Sequence, residues 1–287
     1  MSYRSVFRPG LFDGRTIIVT GGGSGLGRCA AHELRALGAR LVLIGRTRSK
    51  LEEVKEELGD PATFIHTADL RREDEVAAAI AATLDACGRV DGLVNNAGGQ
   101  FPARLRDISL NGWNAVVNNN MTATFLVSKA VYLAWMEANG GAIVNVGADW
   151  EMGMPGMGHN GSARAGQAAF TYTASVEWAH SGVRVNSVIP GFIASSGFDR
   201  YPESARATIR GVTKRVPLKR HGTEAEIAAA ICFLLSEAAA YITGIQIRVD
   251  GGLHNNNRSS FYEVPDHDRS TPYDGFPLYK RPRMLDG

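Results

Sequence analysis

The chain has 287 residues, 44% hydrophobic and 21% charged, a globular mixture long enough for one large α/β domain with a sizeable core. A formal net charge of +2 sets up no basic field, so a nucleic-acid partner is not expected. No apolar run approaches the ~20 residues of a membrane span, the start MSYRSVFRPG has no apolar signal core and the end MLDG is not an SKL-type address, so a cytoplasmic protein without a membrane partner is expected.

In chain order, residues 16–20 (TIIVT) are a β-branched run without alternation, the pattern of a strand buried on both faces. A glycine-rich stretch over 21–27 leads into a helical pattern that runs to Leu37, where Gly38 stops it. LVLIG at 41–45 is the second strand. Helix 49–58, strand 62–67, helix 73–87 and strand 91–95 follow. A long helix over 111–138 precedes strand 142–146, and helix 161–180, strand 183–188, helix 224–235 and strand 245–249 complete the series. This alternation predicts a single α/β domain over 1–252, built on one doubly wound parallel sheet with helices on both faces.

Two segments break the rhythm. Residues 191–215 lack strand periodicity and follow Pro190-Gly191, where a lid over the crevice is expected. Residues 253–287 have no period, but Phe261, Tyr262, Tyr273, Phe276 and Tyr279 make them too apolar for a free tail. An extended tail packed on the domain or on a neighbouring subunit is expected.

TGGGSGLG (20–27) lies between a strand and a helix. Gly21, Gly25 and Gly27 permit a tight turn and close backbone approach, and with Ser24 and Leu26 they open a helix whose free N–H groups suit a pyrophosphate. The second strand ends Ile44-Gly45-Arg46, without the acid that bonds a ribose 2′-OH. Arg46, with Arg48 after it, suits a 2′-phosphate by charge and fork geometry, so NADP(H) is expected over NAD(H); the alternative is two solvated charges opening a helix. Three widely spaced cysteines and no CxxC or HExxH predict reduced thiols and no metal site.

Together with NNAG at 95–98 and Pro190-Gly191 after VRVN, these motifs resemble the short-chain dehydrogenase/reductase family over about residues 12–252. The resemblance implies a Rossmann-type fold, a nicotinamide cofactor and a homotetramer whose main interface is formed by the long helix and helix 161–180. It implies that Asn96, Ala97 and Gly98 line the adenine side, that Asp69 and Leu70 meet the adenine ring, and that Ile193 meets the nicotinamide carboxamide. Asn120 matches the asparagine of the family's central helix, and Pro190 and Gly191 belong to its late motif.

The family's Tyr-x-x-x-Lys pair is missing. Matching VEWAHSGVRVN (176–186) and counting back puts Asn160 at the tyrosine, Arg164 at the lysine, and Gly147-Ala148 at the preceding serine. Asn160 is neither acid nor base. Arg164 stays charged, so it can hold the nicotinamide ribose but is a poor proton donor. His159 brings an imidazole and Trp150 offers one N–H donor; Asp149 is a partner or a turn acid. Such a set suits reduction of a C=C bond conjugated to a thioester, where donors polarise the carbonyl and the proton reaches Cα from water or His159.

HNGSARAG, NNAGGQF and YEVPDHD resemble the peroxisomal trans-2-enoyl-CoA reductases. The 2,4-dienoyl-CoA reductases share the missing tyrosine, and MPGMGHNGSARAG resembles bacterial citronellol/citronellal dehydrogenases. Three readings follow: an NADPH-dependent 2-enoyl-CoA reductase; a terpenoid alcohol or aldehyde dehydrogenase with His159 as base; and a non-catalytic nucleotide-binding member.

Overall fold

Seven strands form one parallel sheet in the order β3-β2-β1-β4-β5-β6-β7 in a computed structural model that describes residues 3–256 and 262–286. The strands are β1 (Thr16–Thr20), β2 (Arg40–Gly45), β3 (Phe64–Thr67), β4 (Gly92–Asn95), β5 (Gly141–Val146), β6 (Val183–Pro190) and β7 (Gln246–Val249). Both faces of β1 are buried, which explains its unbroken apolar run. Ile17 and Val19 face one core with Cys29, Leu34 and Ile231; Ile18 faces the other with Val42, Ile80 and Ile143.

The first face is covered by α1 (Gly25–Ala36), α2 (Arg48–Leu58) and α9 (Glu224–Leu235). The second is covered by α3 (Glu73–Cys87), the long helix and α7 (Gly158–Glu177). The chain order reverses between β1 and β4, so the crevice for a ligand lies beyond the C-terminal ends of those strands.

The predicted helix over 111–138 is not one regular helix. It consists of α4 (Leu110–Val117), α5 (Ala123–Val131) and α6 (Glu137–Asn139), joined by wider π-helical turns at Asn118–Thr122 and Tyr132–Met136. Periodicity cannot reveal this, because one inserted residue shifts the apolar stripe only slightly. Helix α7 starts three residues earlier than its apolar pattern, so His159 and Asn160 stand in its first turn.

Residues 198–214 form short helical turns around α8 (Arg206–Gly211), in keeping with their lack of strand pattern. After α10 (Leu253–Asn256) no further strand occurs among the described residues, and Phe276 and Met284 are buried against the chain's own surface. Phe261, counted in the apolar tail, lies outside the described residues. Phe276 packs on His32 and under the Arg28 guanidinium, while Tyr273 Oη donates to the carbonyl of Arg4 (2.8 Å), so the two ends of the chain meet over α1. No helix among the described residues is long and apolar enough to cross a membrane.

Candidate active site

The glycine-rich loop follows β1 directly. Gly21 and Gly25 take left-handed φ values of +65° and +54°, which side chains resist, and Asn96 Nδ2 fills the space where a Cβ on Gly27 would stand. Ser24 precedes α1 without its hydroxyl capping the helix, and no acid occupies the first turn. The first amides of α1 are therefore open to an anion. Leu26 is partly buried against the first core. Asn96 Nδ2 donates to the carbonyls of Thr20 (3.1 Å) and Gly21 (3.3 Å), and Thr20 Oγ1 accepts from the amides of Asn96 and Ala97 (3.0 Å each). These bonds tie the end of β4 to the glycine-rich loop.

Beyond β2, Arg46 is exposed, whereas Arg48 is paired with Glu52 one turn along α2 (2.8 Å). Asp69 is held bidentately by Arg71, which draws its carboxyl down to about 2. Leu70 points into the second core, and Ile193 packs into the first. Pro190 ends β6; a Cβ on Gly191 would stand 2.6 Å from Asp250 Cα, so only glycine lets the two strand ends close up.

Asn120 sits in the first π-turn, fully buried. Its Nδ2 donates to the carbonyls of Gly99 and Val116 (2.8 Å each), and its Oδ1 accepts from the Gly99 amide (3.1 Å). Thr124 Oγ1 (2.9 Å) and Gln167 Nε2 (3.4 Å) donate to the Asn120 carbonyl within this turn. Asn120 thus clamps the loop after β4, where a Cβ on Gly98 would lie 2.7 Å from Asn120 Oδ1 and 2.9 Å from Arg164 Nη2.

Arg164 occupies the same layer. Its Nη1 donates to the Val146 carbonyl (2.8 Å) and to Gln167 Oε1 (3.1 Å). Among the described residues no carboxylate balances it, and burial pushes its pKa down to about 10, so it stays charged at neutral pH. Its Nε has no partner among the described residues.

His159 is fully buried with its ring edge-on to Phe101, centroids 4.5 Å apart. The Asn160 amide is shared between His159 Nδ1 and the Met157 carbonyl (2.9 Å each), a contact that suits the tautomer with its proton on Nε2. That Nε2 and Trp150 Nε1 are buried without partners among the described residues, as is the acceptor Asn160 Oδ1. Asn160 Nδ2 donates only to Met154 Sδ (3.5 Å), in the methionine-rich loop. Buried groups of this kind are rare in finished structures and signal a missing ligand or water.

Two further features carry no motif in the sequence. Tyr201, in the segment after β6, accepts from Gln100 Nε2 (3.0 Å) and donates to Met157 Sδ (3.9 Å), so its hydroxyl spans the loops after β4 and β5. His254, buried at the start of α10, holds Asp149 Oδ2 at 2.7 Å and Glu151 Oε2 at 3.5 Å, and Arg248 pairs with Glu151. Asp149 thus pairs with His254 and not with His159. Asp250 builds this corner by accepting the amides of Gly252 and His254 (2.8 Å each).

A glycine cradle at a parallel-sheet switch point, with a charged, carboxylate-free group one layer away, defines a dinucleotide-dependent oxidoreductase of Rossmann type. Residues 21–254 match the family described as enoyl-(acyl carrier protein) reductase, and the chain belongs to the short-chain dehydrogenase/reductase family. It is 35% identical over 256 residues to the peroxisomal 2,4-dienoyl-CoA reductase [(3E)-enoyl-CoA-producing] of Danio rerio, covering 87% of this chain and 85% of that protein. A probable 2,4-dienoyl-CoA reductase of Bacillus subtilis is 37% identical, over 83% of this chain and 96% of its own. Among solved structures, a citronellol catabolism dehydrogenase of Pseudomonas aeruginosa PAO1 superposes with a TM-score of 0.78 at 50% identity, over 88% of this chain and 99% of that one.

Proposed function

We propose that the protein reduces a C=C bond conjugated to an acyl-CoA thioester, a trans-2-enoyl-CoA or a related conjugated acyl-CoA, with NADPH. The feature that supports this reading is that Asn160 and Arg164 hold the positions of the family's Tyr–Lys pair, while three buried nitrogens of this part of the chain, Trp150 Nε1, His159 Nε2 and Arg164 Nε, have no partner among the described residues. Donors stabilise charge that develops on a carbonyl oxygen without themselves transferring a proton. The nicotinamide, when bound, supplies hydride to the β-carbon.

In this reading Arg164 binds the nicotinamide ribose and keeps positive charge beside the ring, and Asn160 Oδ1 accepts from a ribose hydroxyl. Asn120 positions Gly98 and Gly99. Gly21, Ser24, Gly25 and the first amides of α1 hold the pyrophosphate, and exposed Arg46 meets the 2′-phosphate. Residues 191–215 act as a lid that Tyr201 latches. The exposed apolar side chains Phe125 and Leu133 on the long helix and Tyr172 and Val176 on α7 form the face on which further copies of the chain assemble into a homotetramer.

A second reading, oxidation of a terpenoid alcohol or aldehyde, draws on the likeness to the citronellol catabolism dehydrogenase. It needs His159 as a base. The Nδ1 that would accept the proton already holds the Asn160 amide, which favours His159 as a donor.

The test follows NADPH absorbance with 2-enoyl- and 2,4-dienoyl-CoA substrates, and NADP+ reduction with citronellol and citronellal. Consumption of NADPH by the thioesters alone supports the proposal; turnover of the alcohols alone overturns it. Cofactor choice is read by comparing NADPH with NADH in the wild type and in Arg46→Asp.

A further inference from the structure

Asp149, Trp150 and Glu151 follow one another just beyond β5. The two acids are tied to one imidazole. His254 Nδ1 lies 2.7 Å from Asp149 Oδ2 and its Nε2 3.5 Å from Glu151 Oε2, while Arg248 of β7 holds the other carboxylate oxygen of Glu151. The residue between them is held differently. The indole Nε1 of Trp150 is buried and makes no hydrogen bond to a described residue, so backbone and packing set where that N–H points. The backbone there is fastened at both neighbours by His254 and at the Trp150 carbonyl by the Gly153 amide (2.8 Å).

His254 itself is firmly placed, with only 3% of its surface exposed. Asp250, next after β7, accepts the amides of Gly252 and His254 (2.8 Å each), and Gly251 and Gly252 turn the chain with left-handed φ values of +65° and +85°. Leu253 packs with Val212 and Val216, and Asn256 Nδ2 donates to the Arg215 carbonyl (2.7 Å). The imidazole thus belongs to the edge of the sheet and reaches 105 residues back along the chain to grip the loop after β5. Asp149 and Glu151 are partly exposed and their partner is not, so the fixed end of this fastening lies in the fold and the movable end in the loop.

We propose that His254 is a positioning residue: by gripping both neighbours of Trp150 it aims the indole N–H at the carbonyl oxygen of the substrate. The inference rests on the reading above in which Trp150 polarises the thioester, and extends it to a residue outside the donor set. A donor stabilises developing charge only when it stands about 2.7–3.1 Å from the oxygen, and a displacement of about 1 Å costs on the order of 10²-fold. A loosened loop should therefore lower kcat and spare affinity.

The test is a double-mutant cycle. His254→Leu removes both ring nitrogens and keeps an apolar bulk. It should lower kcat for a 2-enoyl-CoA at least ten-fold and leave the KM values for NADPH and thioester within about three-fold. His254→Asn, whose amide can replace Nδ1 toward Asp149, should recover at least about a third of the wild-type kcat. In a Trp150→Phe background His254→Leu should change kcat less than about two-fold, because the group it aims is gone. Asp149→Ala cuts the 2.7 Å contact from the loop side, should repeat this pattern, and carries the test if His254→Leu does not fold. Losses that multiply in the double variant, a His254→Asn as slow as His254→Leu, or a KM that rises while kcat holds overturn the proposal. Acrylamide quenching of tryptophan fluorescence needs no turnover. Read as the difference between each protein and its Trp150→Phe counterpart, the Trp150 signal should be quenched at least about twice as readily without the His254 grip, and equal quenching overturns the proposal. If no thioester is reduced while quenching rises, the reduction reading has failed and the grip on Trp150 stands.

Discussion

Arg164 Nη1 lies 2.8 Å from the carbonyl oxygen of Val146, at the end of β5, and no acid among the described residues balances its charge. A lysine here would contact the strand end with a point charge; the guanidinium does so with a fork, leaving Nε for other partners. The cost of keeping it charged is large. A drop from the ordinary guanidinium value to about 10 corresponds to roughly 3 kcal/mol. Because the folded pKa is the lower one, the penalty is present in full below pH 10 and is relieved only as the pH climbs toward the ordinary guanidinium value.

Arg164→Met should therefore raise the Tm of the protein without cofactor, by a similar margin at pH 6 and pH 8. The gain is limited by two lost hydrogen bonds worth about 1 kcal/mol each. The same variant should raise the KM for NADPH at least ten-fold. Thermal melts and steady-state kinetics check both, and an unchanged KM would reject the ribose role.

Gly98→Ala should fold and lose activity. Its Cβ would press on Asn120 Oδ1 and Arg164 Nη2 at 2.7 and 2.9 Å. Neither can yield cheaply, because both Nδ2 hydrogens of Asn120 are bonded to backbone and Arg164 is pinned to Val146. We expect kcat/KM to fall by more than ten-fold with an unchanged circular dichroism spectrum; retained activity would show that the clamp is slack.

Glu224 gives a pH signature. Burial raises its pKa from 4.5 to about 7, with Arg28 offsetting part of the rise. The folded state holds this proton more tightly than the unfolded chain does, so the stability it contributes is full below pH 4.5 and is lost as the pH rises through 7. Glu224→Gln should thus stabilise at pH 8, by roughly 3 kcal/mol at most, and hardly at all at pH 5. A Cβ on Gly25 would lie 3.9 Å from its Oε1, so NADPH affinity should also weaken from pH 6 to 8 in the wild type and less in the variant. Melts and cofactor titrations at the two pH values decide; equal gains at both would contradict the assignment.

Removing single donors tests the polarising role. Trp150→Phe and His159→Phe should each lower kcat by about 10² with little change in NADPH affinity, the usual cost of one oxyanion donor. Rescue of His159→Phe by a high pH would point instead to a base.

Tyr201→Phe keeps the ring and removes the bonds to Gln100 and Met157. A loss of about 1 kcal/mol predicts a roughly five-fold rise in acyl-substrate KM with kcat nearly unchanged. If kcat falls by 10² and KM does not move, Tyr201 acts on the reacting carbonyl and is more than a latch.

Much of this protein is legible from local pattern. Alternating β-branched runs and helical periods located all seven strands of the sheet to within two residues at each end, and a glycine loop between strand and helix marked the phosphate cradle. The absence of Tyr-x-x-x-Lys is a local fact too, since both positions fall within one turn and a half of a single helix. What those positions do was decided by tertiary structure. Asn120 clamps Gly99 with its side-chain amide from within a π-turn, His159 Nδ1 meets the Asn160 amide, and Asp149 pairs with His254, 105 residues away, which folds back onto it. Tyr201 reaches Gln100 across a comparable separation. Hydrogen bonds between distant residues leave no period in a sequence, and burial, which sets the charge and tautomer of each side chain, is a property of the packed molecule.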